Sequence, residues 1–385
     1  MAHPDLVYVT VVTRSHLHYA AALADNLRAV VPAAQLVCYL VERQVERGDQ
    51  LPSNVTLLSV SVVPLPEREN FLFRYTAFAL CCALKPYVIA HAFAATGAAV
   101  VVYLDSDLQV LRDVEPVLHG SMGEQSVLLT PHLLTSGSER GGLLSIARAG
   151  VYNAGFLAFK RGYHTQQFLS WWMNRVEKEC IGDPYGGIEY DQRWLDIAVG
   201  MFPYIGILRH PGVNVGHWNL HEKAFRERPD GVYVDDSHPL YVYHHSGLTD
   251  DRVSKFLAAN ENEIDGWFVI KRSVEGYRQL LQAKREQYAS NAGYSFGTFA
   301  DGAPITPEMR ELIRVGRVSV ADPFRAGPTL FADVSDQELV ELYTNRPTYR
   351  VENFMEVKGK LDRLKRHVVI GKVIRFWSYW INSDI

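Results

Sequence analysis

Cysteine is scarce in this 385-residue chain. There are four, and none stands in a Cys-x-x-Cys pair: Cys81 and Cys82 are adjacent, while Cys38 and Cys180 are alone. That excludes a disulfide framework, a zinc ribbon and a thioredoxin-type motif. Reduced thiols fit a cytoplasmic compartment. Positive charge in excess is lacking too. Lys and Arg number 39 against 43 Asp and Glu, a net charge of −4, so no basic field exists for nucleic acid and none is expected as a partner. No Gly-x-Gly-x-x-Gly follows any predicted strand, which disfavours a dinucleotide oxidoreductase. The segment Met1–Val7 contains Asp5 and has no basic stretch with an apolar run behind it, so a secretory leader is not expected. Pro86–Leu104 has no Asp, Glu, Lys or Arg. It reads as a buried helix, a turn at Gly97 and a buried strand, not as a membrane span.

The composition that remains, 48% hydrophobic and 21% charged, is that of a globular chain and not of a disordered or collagenous one. The length allows two or three domains, or one large α/β domain with an extension. Short β-branched runs predict strands at Leu6–Thr13, Gln35–Leu40, Val55–Val63 and Ala98–Leu104. Helical spacing predicts helices over His16–Val30 and Phe71–Ala92. Strands alternating with helices give an α/β fold with a mostly parallel sheet covered on both faces. Thr130–Gly150 is rich in Ser and Gly and reads as a mobile loop, with His132–Leu144 able to order over a ligand. Beyond it come a strand near Leu157–Lys160, a helix over Thr165–Cys180, a turn at Gly182–Gly187 and a short helix over Glu189–Val199. Strands are expected at Ile205–His210 and Val232–Tyr243. The texture changes near residue 250. Helices are expected at Trp267–Tyr288 and Gln337–Asn345, around a Gly- and aromatic-rich loop at Gly293–Pro307. The division is residues 1–250 as one α/β domain and 251–385 as a mainly helical extension.

Chemistry is expected at the carboxyl ends of parallel strands. There the sequence reads Tyr103-Leu-Asp105-Ser-Asp107. Two carboxylates just past a buried strand can hold one hard cation, Mn²⁺ or Mg²⁺, which commonly shares its shell with a substrate's phosphates. Alone, such a motif is as well explained by a solvated turn; its place after an apolar strand favours function. Far downstream, Tyr243-His244-His245-Ser246-Gly247 offers an imidazole to complete a carboxylate metal site. Gly247 would let backbone approach a phosphate closely. A pair of hydrogen-bonded structural histidines is the rival explanation. Asn153 and Gly155, in Gly150–Phe156, suit a tight wall against a polyol. Asp191 and Gln192 sit side by side at a helix start, where Asp also serves as an ordinary cap. His210–Asn214 and His217–Asn219 add polar groups among aromatics.

Taken in order, Tyr103–Asp107, Asn153–Gly155, Asp191–Gln192 and His244–Gly247 resemble the pattern of GT-A glycosyltransferases of the glycogenin and bacterial lipooligosaccharide galactosyltransferase type. Gly150–Phe156, Glu189–Trp194 and His217–Lys223 also look like bacterial nucleotide-diphospho-sugar transferases of surface-polysaccharide pathways. The resemblance covers about residues 6–250, with element edges good to about two to four residues. It implies a GT-A fold, a nucleotide-diphospho-sugar donor with a UDP-sugar first in line, and a glycan or lipid-linked glycan acceptor. It makes Asp105, Asp107 and His244 the metal ligands. His244 is preferred over His245 because the family shows His, aromatic, small residue, Gly, and His245 fills the aromatic slot. The same resemblance places Asp105, Asn153, Gly155 and Gly247 against the donor, Thr13 where the nucleoside is held, and Lys85 within reach of the diphosphate, although the family more often shows Arg there. A lysine packed against solvent is the competing account of Lys85. Asp191 and Gln192 match the pair beside the anomeric carbon. Retention is the implied course; an inverting route would need a carboxylate base, Asp191 or Glu189.

Lys358–Arg375 carries seven basic residues and one acid and runs into Phe376, Trp377, Tyr379 and Trp380. It reads first as a helix docking its aromatics on the catalytic domain. Second, it reads as an interfacial helix giving peripheral membrane contact through residues 358–381. Two rival functions stand beside the transferase. A nucleotidyltransferase would commonly show a Gly-rich loop after the first strand, where this chain has Thr13-Arg-Ser-His-Leu-His. An inactive scaffold is disfavoured by the presence of Asp105, Asp107 and His244 together.

Overall fold

The computed structural model describes residues 5–136, 140–183, 186–247, 264–288, 293–332 and 334. The expected helix at Gln337–Asn345, the basic–aromatic tail at 358–381 and the boundary near residue 250 lie outside them.

The expected α/β architecture is present. Seven strands form one sheet: β1 (Leu6–Val12), β2 (Leu36–Leu40), β3 (Val55–Ser59), β4 (Val100–Leu104), β6 (Val127–Pro131), β7 (Tyr152–Lys160) and β10 (Ile205–Ile207). Their spatial order is β10-β6-β7-β4-β1-β2-β3. Strands β4, β1, β2 and β3 run parallel, as do β10 and β6, while β7 is antiparallel to both its neighbours. Side chains alternate across the pleat. Val7, Val9 and Val11 therefore enter one core with Leu80, Leu84 and Trp172, while Tyr8 enters the opposite core with Leu23, Leu27 and Leu118. Helices α1 (Leu17–Val30) and α4 (Glu115–Met122) belong to the second core. Helices α2 (Arg68–Arg74), α3 (Ala77–Thr96) and α6 (Tyr163–Val176) belong to the first.

Several expected elements end differently, each for a local reason. The Phe71–Ala92 helix is two helices, α2 and α3. The break falls at Tyr75 and Thr76, where the Thr76 side chain caps α3 by accepting from Ala79 N. Helix α3 is long and apolar enough to cross a membrane by length and composition, yet 67% of that window is buried in the protein. It ends at Gly97, φ 72°, the expected turn. The third strand stops at Ser59, whose hydroxyl accepts from Ser61 N and starts a tight turn. The Thr130–Gly150 loop instead contains the end of β6 and helix α5 (Arg140–Ala149). The Val232–Tyr243 strand is three short strands, because Asp235 and Asp236 adopt φ of 51° and 58° and turn the chain. These are β13 (Gly231–Val234), β14 (His238–Pro239) and β15 (Val242–His244), with β12 (Phe225–Arg228) pairing on β13.

Three further pieces frame the site. A second sheet of order β11-β15-β5 joins Val215–Gly216 (β11), β15 and Leu108–Val110 (β5). A short antiparallel pair, Gly182–Asp183 (β8) and Ile188–Glu189 (β9), leads to α7 (Arg193–Met201). The C-terminal region is helical: α8 (Trp267–Tyr288), as expected from the sequence, packs on α1, and α9 (Pro307–Arg314) packs on α2. Arg310 of α9 is buried and donates to the carbonyls of Phe73, Tyr75 and Phe296 at 2.6–2.8 Å. A side chain with five donors can hold three carbonyls, from two backbone segments, at once.

Candidate metal and transfer site

Asp105 and Asp107 lie far from His244 in sequence, and strand pairing brings them together. Strand β5 starts one residue after Asp107 and runs antiparallel to β15, with Leu108 opposite His244 and His245 N donating to Asp107 O at 3.0 Å. Strand β11 pairs on the other side of β15, with Gly216 opposite His244. Asp105 is held from the main sheet, its N–H donating to Gly155 O at 2.8 Å. The β6–β7 register shifts between Leu129 and Thr130, so that Thr130 faces Asn153. Such an irregularity re-aims side chains at a strand end, and it falls where β7 carries Asn153 to Gly155.

The ligand atoms of Asp105, Asp107 and His244 all lie within 4.8 Å of one another. His244 Nε2 is 3.2 Å from Asp107 Oδ1. Asp105 Oδ1 accepts from the Tyr103 hydroxyl at 2.9 Å and lies 3.1 Å from Lys85 Nζ, which leaves Oδ2 for another partner. A Cβ on residue 155 would stand 2.8 Å from that Oδ2 and 2.4 Å from His244 Cε1. Only glycine lets the two ligands converge. Oxygen, oxygen and imidazole nitrogen suit a hard or borderline divalent cation.

Lys85 is buried on α3. Its Nζ lies 3.1 Å from Asp105 Oδ1, 3.1 Å from Asp191 Oδ2 and 3.2 Å from Ala154 O. Burial alone would depress this ammonium; Asp105 and Asp191 outweigh it and hold the pKa well above the usual lysine value. Burial pushes the Asp191 carboxyl above its usual range against the pull of Lys85. At Asp107 burial opposes the charge, and His244 beside it brings the carboxyl below its usual value. Asp105 and Asp191 share one ammonium while Asp107 lies beside His244, a concentration of carboxylates that a divalent cation would neutralise.

The amides are just as constrained. Asn153 Oδ1 accepts from Gly155 N at 2.8 Å, and its Nδ2 faces Gln192 Oε1 at 3.3 Å and His132 Nε2 at 3.2 Å. Gln192 Oε1 also accepts from Ala154 N at 3.1 Å, and its Nε2 donates to Ala149 O at 3.0 Å. Burial lowers the His132 pKa to about 4, so the imidazole is neutral and its Nε2 accepts.

Eight residues singled out in the sequence therefore share one neighbourhood: Lys85, Asp105, Asp107, Asn153, Gly155, Asp191, Gln192 and His244. Lys85 spends its donors on two carboxylates and a carbonyl. Thr13 closes β1 with its hydroxyl 3.0 Å from Ser15 Oγ and His16 Nδ1, apart from this cluster's hydrogen bonds. Gly247 has φ 70°, a conformation that favours glycine. His245 points away from the carboxylates, stacked on Tyr277 at 3.8 Å and bonded to Gln109 at 3.0 Å. His132 and Tyr103 join the site without having been marked as site residues. Asn214, noted only as a polar group among aromatics, proves central, and no local pattern distinguished it.

No protein-family model matches the chain. It is 27% identical over 247 residues to the uncharacterised protein YfnF of Bacillus subtilis (strain 168), covering 62% of this chain and 80% of that one. Among solved structures it is similar to an active-site mutant of LgtC, with 14% identity and a TM-score of 0.39 over 66% of this chain and 95% of that one. A glycosyltransferase involved in glycosylation of the major capsid of PBCV-1 gives 11% identity and a TM-score of 0.39, covering 66% and 98% of the two chains.

Proposed function

We propose that the chain is a metal-dependent glycosyltransferase that moves a sugar from a nucleoside-diphosphate sugar to a glycan or lipid-linked glycan, in surface polysaccharide or glycoconjugate synthesis. One observation carries this reading: Asp105 Oδ2, Asp107 and His244 converge around Gly155, immediately beside the buried Lys85–Asp191 pair. Asp105, Asp107 and His244 would hold Mn²⁺ or Mg²⁺. A divalent cation there supplies neutralisation of the charge gathering on a departing diphosphate. The four cysteines, all free thiols, support a cytoplasmic site of action.

The chain's own residues prepare the transfer. Lys85 fixes the Asp105 and Asp191 carboxylates relative to each other, so neither reorients as charge develops. Asp191, buried and, among the described residues, offering Oδ2 to nothing but Lys85, places a negative charge where a sugar carbon becoming cationic would be stabilised. Gln192 is tied to Ala149, Asn153 and Ala154 and braces the wall beside it. Retention at the anomeric carbon is the proposed course, supported by the motif resemblance. The proposed catalytic unit is residues 1–250, with the described part of the 251–385 extension packed on it through α1 and α2.

A donor screen tests the proposal. Purified protein is incubated with Mn²⁺ and UDP-, GDP-, CMP- and dTDP-sugars, and nucleotide release is read without acceptor, beside Asp107→Ala and beside EDTA. Release from one donor, with a UDP-sugar first, lost in both controls, is the expected result. Silence across the panel with no donor-induced shift in Tm would point to an inactive binding fold instead.

A further inference from the structure

The orientation of one buried amide can be deduced from its neighbours. Asn214 Nδ2 lies 2.9 Å from Thr130 Oγ1 and 3.1 Å from Asn153 Oδ1. Thr130 spends its hydroxyl proton on Phe156 O at 3.2 Å. Asn153 Oδ1 already accepts from Gly155 N. Both neighbours are therefore acceptors, and the atom facing them must be the amide NH₂. The opposite end of Asn214 is then its carbonyl oxygen, which lies 3.0 Å from His244 Nδ1. A carbonyl can only accept, so Nδ1 of His244 carries a proton, and in the neutral ring, the form that can bind a metal, Nε2 then presents its lone pair toward Asp107.

Asp107 pulls the other way. With its Oδ1 3.2 Å from Nε2, its carboxylate would favour a proton on Nε2, the form that cannot ligate a metal through that nitrogen. We propose that Asn214 is the positioning residue of the metal site: it overrides Asp107, holds His244 in the ligating tautomer and, through Asn153, keys that ring to Gln192. This rests on the reading of Asp105, Asp107 and His244 as a metal site. Asn214 is fully buried and has φ 57°, a conformation open to Asn, Asp and Gly but strained for Ala. A ligand's outer partner of this kind typically sets about 10–100-fold in metal affinity.

The test uses Asn214→Gly, which keeps the backbone conformation and removes the amide, and Asn214→Asp, which keeps an acceptor for Nδ1. The full-length protein is labelled with ¹⁵N-histidine, and the His244 ring is read without metal at a pH where it is neutral. Mn²⁺ affinity is measured separately by calorimetry. Wild type is expected to show a protonated Nδ1. Asn214→Gly is expected to show a protonated Nε2 and about 10–100-fold weaker Mn²⁺ binding, with Asn214→Asp restoring the Nδ1 proton. A protonated Nε2 in wild type, or the same tautomer and affinity in wild type and Asn214→Gly, would overturn the proposal. If wild type shows the Nδ1 proton but binds no Mn²⁺, the metal-site reading fails while the tautomer assignment stands.

Discussion

Two buried ion clusters sit near the carboxyl ends of the parallel strands, and they differ in how completely they are closed. Beyond β1 and β2, Arg14 forms a bidentate pair with Asp49 at 2.8 and 3.0 Å and lies 3.6 Å from Glu42. Every carboxylate oxygen there is occupied. Glu42 Oε2 accepts from Ser295 N and Oγ at 2.7 and 2.6 Å, Glu42 Oε1 from Arg14 N at 3.4 Å, and Asp49 Oδ2 from Glu46 N at 2.8 Å. Beyond β4 the cation is Lys85, a point charge without a fork; among the described residues Asp105 Oδ2 accepts no hydrogen bond, and Asp191 Oδ2 has only the Lys85 ammonium, at 3.1 Å. The closed cluster ties the 293–332 segment to the sheet. The open one keeps acceptor capacity for a ligand. Buried charge alone does not mark a site; unspent acceptors do.

Removing each cation separates the two most sharply. Arg14→Met leaves Glu42 and Asp49 buried without their partner and should cost about 3–5 kcal/mol, with a Mn²⁺-induced Tm shift equal to that of wild type. Lys85→Met should cost stability too, but a bound cation can replace the missing charge. Its Mn²⁺-induced Tm shift should exceed that of wild type, while donor hydrolysis falls. Equal shifts in the two variants would dissolve the distinction between the clusters.

Acid probes the open side next. His132 has a pKa of about 4 in the folded protein, below the roughly 6.5 of a free histidine. The unfolded chain takes up that proton first, so the stability contribution is complete above pH 6.5 and is lost as pH falls toward 4. The loss is about 3 kcal/mol for this residue. Urea unfolding at pH 7 and pH 4.5 should therefore show a smaller difference in His132→Gln than in wild type.

Gly155→Ala should act on ligand geometry more than on the core. Its Cβ would push against Asp105 Oδ2 and His244 Cε1, costing about 1–3 kcal/mol of stability and weakening Mn²⁺ binding. An alanine variant that binds Mn²⁺ like wild type would show that the two side chains do not need to converge. The smallest effect belongs to His245→Phe. It keeps the stack on Tyr277 and loses the bond to Gln109, about 1 kcal/mol of stability, with Mn²⁺ affinity unchanged.

Much of this arrangement was legible before the structure, and the boundary of legibility has a physical cause. The buried strands were readable because a strand covered on both faces must be a continuous apolar run, as in β1, β2 and β4. The Tyr103–Asp107 motif was readable because it follows one such run directly. The break between α2 and α3 was not, since Tyr75 and Thr76 interrupt an unbroken hydrophobic pattern with only a cap. Helix α5 was hidden by Gly141 and Gly142, which read as loop. Asn214 was hidden for a different reason. Its importance comes from three neighbours, Thr130, Asn153 and His244, which only strand pairing assembles. The choice between His244 and His245 likewise turned on which face of β15 meets the strand after Asp107.

The most direct test of the open-cluster claim is a calorimetric Mn²⁺ titration of the wild-type protein, Asp107→Asn and Asp49→Asn. The account predicts one Mn²⁺ site in wild type, lost in Asp107→Asn and retained in Asp49→Asn. Binding that survives Asp107→Asn, or that disappears with Asp49→Asn in a folded protein, would contradict it.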